Sequence, residues 1–470
     1  MTTIEIQITV AAPDRLAVSI DYGSVETPVI GRWYADRSVL ETVSEGLAEL
    51  ADEALIEPAR DVDTAEARRD AVERLRSLGL ALYQEVFKEE GDHLKRLDLD
   101  SADDGYLVFK IDRSLAHLPF EAMYDGETFL SHKFGIGRLI YAEDTRPPPA
   151  LRPARPYSIV IVGDPSDDPV IRSDVEHEID SVKRVFSDLD QFTMRIACGP
   201  EVNRSFMLSS VPGATMFHFS GHGTVSDDED RTGIQLGDAK VLSGPSLAGL
   251  QDPPAVAFFN MCTAVSKEAW RGSLGLVETM LRRGTRSCIA SLWDLRSTSA
   301  TLVATRFYVH LLNGATFGQA LRRARHEAIS KHGLHDLTWA AYALYGDPER
   351  KLLPEDTSAK RRSRLRRSLA IVFGLVIIIA ALLIPQKLHR QDSPIPGGAV
   401  MGYLLLESTP DDARILIDGE EIGITPYAAE VPVGSHRVSI EKAGYKKWEA
   451  WVVVREKPRN VIQANLERLE

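Results

Sequence analysis

Two residues are placed to do covalent chemistry together. His222 lies between two glycines in the run MFHFSGHG, and Cys262 ends the run AVAFFNMC, 40 residues further on. A free cysteine has a pKa of about 8.5, so only a few per cent is thiolate near neutrality; an imidazole alongside raises that fraction or takes the proton during attack. A His and a Cys at the carboxyl ends of sequential, adjacent strands would supply a nucleophile and its base. Gly221 and Gly223 let the backbone approach a scissile carbonyl closely, and the amides of Gly223 and Cys262 are natural donors to the oxyanion. Each residue alone has an ordinary reading, the cysteine as a packed thiol and the His-Gly as a turn. Their joint placement at two successive strand ends points to a cysteine hydrolase.

The elements that must position them follow from periodicity. Tyr157–Gly163, Phe192–Ala197, Thr215–Ser220, Val256–Met261 and Cys288–Trp293 read as buried strands. Between and after them, helical patterns cover Ser173–Leu189, a short piece near Arg204–Ser209, Gly272–Arg283, Ser299–Leu312 and Phe317–His332. Alternating strands and helices predict an α/β fold with a mainly parallel sheet covered on both faces, and such sheets carry their sites at the carboxyl ends of the strands. Ahead of this region, residues 1–35 read as short strands, 37–90 as helices, and Tyr106–Ile111 and Phe129–Ile140 as strands. The proline run at 145–153 is the natural internal boundary.

Composition narrows the class. The chain has 470 residues, 44% apolar and 26% charged, room for roughly three domains, and is neither collagenous, disordered nor polytopic. Three cysteines make no disulfide framework. The net charge of −13 is uneven: residues 1–359 carry 38 basic and 55 acidic side chains, and residues 360–390 carry 8 basic and none acidic. The acidic body argues against a nucleic-acid partner. A nucleotide enzyme lacks its phosphate loop, since no G-x-x-x-x-G-K occurs.

The motifs MFHFSGHG, AVAFFNMC, SCIASLWDL and WAAYALYGDP, in this order and spacing, resemble the CHAT family of caspase-like cysteine peptidases, of the clan of caspases and separase. LVFKIDRSLAHLPFEAMYDG at 107–126 resembles the region that precedes such a core. The resemblance implies a caspase-like αβα sandwich and a Cys–His dyad, with the catalytic His on His222 and the nucleophile on Cys262. It leaves His218 structural and gives Cys198 and Cys288 no role beyond packing. The sequence departs from the family after the nucleophile (Cys262-Thr263-Ala264-Val265) and after Trp293, where one acidic residue, Asp294, stands for a common pair. Asp294 is the candidate for the pocket that receives the residue before the cut, where it would favour Arg or Lys; a helix cap or a pairing with Arg296 is the other reading. The Asp227–Asp230 run reads as a solvated turn or as a processing loop. No cofactor or metal is called for, and no calcium ligand set stands out.

The basic block precedes Leu369–Ile384, 16 residues without a charge. A helix of that length covers ~24 Å, and snorkelling Arg and Lys side chains extend it towards a ~30 Å bilayer core. A buried core helix is the other reading; six basic residues before the run and Pro385 after it favour a span. The flanks predict the peptidase in the cytoplasm and residues 391–470 exported across the inner membrane. The amino terminus reads as a strand rather than a signal peptide.

Residues 402–470 read as a small all-β module with a turn at Asp418-Gly419. They resemble the PEGA domain, a module of bacterial surface and periplasmic proteins, which implies a cell-envelope ligand. Tyr445, Trp448 and Trp451 are either core or a stacking surface. The organisation expected is an α+β region at 1–150 packing on the peptidase, a peptidase domain at 151–355, a basic flank and single transmembrane helix within 360–390, and the β-domain at 400–470. The function expected is a membrane-anchored cysteine endopeptidase that cleaves a cytoplasmic protein in a regulated signalling or defence role. The alternative is a catalytically silent scaffold that binds partners at the membrane.

Overall fold

The computed structural model describes residues 2–22, 31–56, 65–88, 105–141, 156–163, 169–224, 233–237, 241–243, 246, 252–263, 267–352, 401–454 and 460–468. The chain forms two compact units, Met1–Lys360 and Arg361–Glu470. The apolar run 369–384 with its basic flank, the proline run 145–153 and the acidic run 227–230 lie outside the described residues. Among the described residues, no helix is long and apolar enough to cross a membrane.

The first unit begins with β1 (Thr2–Ala12), β2 (Arg15–Asp21) and β3 (Gly31–Asp36), then α1 (Arg37–Ile56) and α2 (Ala65–Phe87). After β4 (Gly105–Asp112), a short helix α3 (Leu130–Lys133) leads into β5 (Gly135–Tyr141). The expected strand over Phe129–Ile140 is thus split, because Phe134 N–H closes a helical turn on the Leu130 carbonyl at 2.8 Å. A short apolar run does not by itself distinguish helix from strand.

The chain continues through β6 (Tyr157–Gly163), α4 (Pro169–Phe186), β7 (Phe192–Ala197), α5 (Arg204–Ser210) and β8 (Met216–Thr224). The pair β9 (Gly233–Gln235) and β10 (Val241–Ser243) precedes β11 (Val256–Thr263). Then come α6 (Lys267–Arg283), β12 (Ser287–Ser291), α7 (Ser297–Leu312), α8 (Phe317–His332), α9 (Thr338–Ala341) and β13 (Tyr342–Gly346). α8 starts where its sequence says it should: Thr316 and Gln319 form a reciprocal capping box, satisfying two amides that a helix start would otherwise leave open.

Among the described residues of this unit, all thirteen strands join one sheet. Its central order is β7-β6-β8-β11-β12-β13-β5-β4-β1-β2-β3, with β9 and β10 added antiparallel along the far end of β8. Pairing is parallel from β7 to β12 and from β13 through β5 and β4 to β1; β13 runs antiparallel to β12, and the β1–β3 edge is an antiparallel meander. The strands before the proline run and those after it are therefore continuous, joined where Arg138 of β5 sits opposite Tyr345 of β13. Helices cover both faces. His218 and Phe258 meet Tyr308 of α7 on one face, while Cys288, which alternates to the other, lies against the Val277 carbonyl of α6 at 4.0 Å.

The joint between β5 and β13 is polar and fully buried. Arg138 grips Glu121 through Nε at 3.3 Å and through Nη2, and donates from Nη1 to the Ala116 carbonyl at 2.6 Å. The Phe120 and Tyr345 rings flank its guanidinium at 5.1 and 5.5 Å. A buried charge pair persists only when its remaining donors are also satisfied, and here the backbone and two aromatic faces contribute.

The second unit carries two sheets. β14 (Met401–Thr409), β15 (Arg414–Ile417), β16 (Glu420–Ile424), β17 (Tyr427–Pro432), β18 (Gly434–Glu441), β19 (Trp448–Val454) and β20 (Asn460–Asn465) pair as β17-β14-β20 and β16-β15-β18-β19. Leu404, Leu406, Ile415, Val438, Ile440 and Val454 make its core. The β15–β16 hairpin turns at Asp418 and Gly419, with φ of 53° and 91°, the left-handed pair that a two-residue hairpin needs. Tyr445 and Trp448 pack against the core, whereas Trp451 is 71% exposed.

Candidate functional site

β8 and β11 form as strands because Phe217, Phe219, Val256, Phe258 and Phe259 are buried between helical layers, where β-branched and aromatic residues pack well on a pleated surface. Both strands run beyond the ends expected from sequence, to Thr224 and Thr263. They do so because each finds partners there: Met261, Cys262 and Thr263 stand opposite Gly221, His222 and Gly223. Cys262 and His222 are register partners on adjacent parallel strands, at the carboxyl end of the sheet where sites in such folds lie. Their side chains fall outside the described atoms; the backbone puts their Cα atoms on neighbouring strands, ~4.8 Å apart.

The glycines around His222 have reasons to be glycine. Gly221 takes φ 152°, which a side chain rarely adopts. A Cβ at Gly223 would fall 3.0 Å from Met261 Sδ. Gly223 has strand neighbours on both sides, Thr263 and Ile234. Its N–H faces one of them, so service as an oxyanion donor requires the ladder to be open at that residue.

Beneath this pair lies a polar network. His218 and Ser220 lie four and two positions before His222 along β8, and Asn260 lies two before Cys262 along β11. Glu178 of α4 reaches all three. It accepts from His218 Nε2 at 3.0 Å and from Ser220 Oγ at 2.8 Å, and it accepts from Asn260 Nδ2 as well. Tyr342 donates to Asn260 Oδ1 at 2.6 Å, and the Tyr308 hydroxyl lies 3.0 Å from His218 Nδ1. All six side chains are buried. Burial, reinforced by the Glu178 charge, pushes the Tyr308 phenol well above its ordinary range, so it stays protonated. His218 accordingly serves as a bonded core residue.

The remaining residues fall as follows. Cys288 is fully buried, and burial pushes its thiol up, away from the thiolate. Cys198 packs half-buried on the core, where a Cβ at Gly163 would come 2.7 Å from its Sγ. Asp294 follows β12, whose last residue, Ser291, donates to the Met261 carbonyl at 2.8 Å and so ties this loop to the nucleophile's strand. Asp294 lines a small, open cleft with Ala54, Leu55, Trp293, Arg296 and Asp336 among its walls. Position 296, not 294, is the cap of α7. Arg296 is engaged by Asp336 at 3.2 Å and by the Ala54 carbonyl at 2.6 Å. Among the described residues, no cluster of metal-binding type occurs.

Sequence reasoning missed Glu178, Ser220, Asn260, Tyr308 and Tyr342. The signal available was polar residues recurring every second position in strands that are otherwise apolar, at 218, 220 and 222 and again at 260 and 262.

The comparisons with known proteins agree with this architecture. Residues 401–470 match the model of the PEGA domain. No curated protein is similar enough to count as a match. Among solved structures, two of the Saccharomyces cerevisiae separase–securin complex are similar, at 13% and 12% identity and TM-scores of 0.49 and 0.50, each covering 73% of this chain. The chain spans only 30% of those separase chains. A complex of Porphyromonas gingivalis RgpB pro- and mature domains is similar at 12% identity and a TM-score of 0.37, covering 88% of this chain and 98% of that one. At such identities the likeness to separase concerns the fold alone. Residues 74–347, more than half of the sequence, match the model of the CHAT domain, and the chain belongs to the CHAT domain family.

Proposed function

We propose that this chain is a cysteine endopeptidase anchored to a membrane, with His222 and Cys262 as its dyad. The observation that carries the reading is the register of β8 and β11, which makes the two residues direct cross-strand partners. In the proposed reaction, Cys262 Sγ attacks a backbone carbonyl of a protein substrate while His222 takes the thiol proton. Amides at Gly223 and Cys262 receive the oxyanion, and His222 returns the proton to the leaving amine. Water then hydrolyses the acyl-enzyme. Asp294, in its cleft beside the nucleophile's strand, is proposed to meet a basic side chain before the cut.

The run 369–384 is proposed as the single span, with the peptidase on the cytoplasmic side and the β-domain on the other, binding an envelope ligand. The family resemblance supports a cytoplasmic protein substrate and a regulated role.

The test uses the full chain in detergent, wild type beside Cys262→Ala and His222→Ala. Each is incubated with a mixed peptide library and with acyloxymethyl-ketone probes bearing Arg or Leu. Labelling and cleavage confined to wild type, with the Arg probe preferred, is the expected result. Equal labelling of the Cys262→Ala chain would remove the dyad. Absence of cleavage by wild type, persisting with candidate activators present, would favour the scaffold.

A further inference from the structure

Glu178 connects the two strands of the proposed dyad one step below it. Its carboxylate holds Ser220 at 2.8 Å through one oxygen and Asn260 through the other. Ser220 and Asn260 are themselves register partners, and each lies two residues before a dyad member along its strand. Two residues along a strand is ~6.6 Å. One side chain from α4 therefore spans β8 and β11 immediately under the reacting pair, and Tyr342 of β13 closes the far side of Asn260 at 2.6 Å.

A buried carboxylate is retained against its desolvation cost only when donors surround it. This one has three: the hydroxyl, the amide and the His218 ring. A core that needed only packing would be served as well by apolar residues at 178, 220 and 260. What the polar version adds is fixed geometry, since each donor ties a strand at a defined distance.

Resting on the reading of His222 and Cys262 as a dyad, we infer that Glu178 is a positioning residue for it. By clamping Ser220 and Asn260 together, it sets the relative placement of the two strand ends, and through them the approach of the imidazole to the thiol. It is proposed to act through these two strands rather than on a reacting atom.

The test measures iodoacetamide alkylation of each cysteine in the full chain at neutral pH, by mass spectrometry of the cysteine peptides. Cys262 reports activation, and the fully buried Cys288 reports loosening of the fold within the same molecule. In wild type, Cys262 is expected to react faster than the half-buried Cys198. Glu178→Gln keeps the size of the side chain and an oxygen acceptor but removes the charge. It is expected to slow Cys262 about 10-fold while Cys288 stays protected. An unchanged Cys262 rate, within twofold, with Cys288 protected would overturn the role of Glu178 alone. A wild-type Cys262 no faster than Cys198 would overturn the dyad and the clamp with it. If Glu178→Gln exposes Cys288, Ser220→Ala decides instead: it deletes a single hydroxyl and is expected to slow Cys262 about threefold, and no slowing would overturn the inference.

Discussion

Replacing Arg138 by Met cuts the most deeply buried ion pair among the described residues, at the joint between β5 and β13. Met has nearly the length of the arginine stem but cannot answer Glu121, which is fully buried, nor the Ala116 carbonyl. Breaking one side of a buried pair costs about 3–5 kcal/mol, because the surviving charge is left in a poor solvent. Glu121 keeps some compensation from the field of the fully buried Arg325, whose own guanidinium burial pushes down to about 10 while Glu121 pulls it back up. Arg138→Met is accordingly expected near the lower figure, ~3 kcal/mol, or roughly 160-fold in the folding constant. Glu121→Gln removes the carboxylate that both guanidiniums feel, and is expected near ~5 kcal/mol. The two changes act on one pair, so the double variant should cost less than their sum. Urea unfolding of the full chain, followed by fluorescence of the buried Trp293 and Trp339, measures all three. A cost for Arg138→Met below ~1 kcal/mol, or the reverse order of the two single variants, would refute the account.

Two further predictions concern pH. Burial, then the charges of His326 and Arg325, push the His132 imidazole down to about 3, so it stays neutral when folded. The unfolded chain takes up that proton below about pH 6.5. Stability should therefore fall as pH drops from 6.5 towards 3, by ~2 kcal/mol at pH 5. His132→Phe should remove that part of the slope, and identical slopes in the two proteins would contradict it. In the β-domain, His436 donates to Asp418 at 2.6 Å, which raises the imidazole above its ordinary value and lowers the carboxyl below its own. The histidine's contribution is complete below pH 6.5 and is lost as pH rises through its raised value; the carboxylate's is present above pH 3.8 and is lost as pH falls through its lowered value. Hydrogen exchange of the Arg437 amide, which donates to Asp418 at 2.8 Å, should lose protection as pH rises above 6.5, beyond the intrinsic effect. His436→Gln should flatten that response.

Local chemistry alone determined much of this protein. Apolar periodicity placed Phe192–Ala197 and Phe317–His332 to the residue, the Asp418-Gly419 pair announced its hairpin, and His222 and Cys262 stood out because a glycine-flanked His and a strand-ending Cys are locally unusual. These features depend on a few neighbouring residues, so a linear reading reaches them. Tertiary structure decided what depends on partners distant in sequence. β8 and β11 extend to Thr224 and Thr263 because each supplies the other's ladder, which no property of either strand announces. Leu130–Lys133 turns into helix although its apolar run fits a strand equally well. The continuity of the sheet through Arg138 and Tyr345 joins positions more than 200 residues apart. Glu178 reads in sequence as one more charge on an amphipathic helix. Only the packing of α4 against β6 and β8 turns it inward, where three buried donors make its charge bearable.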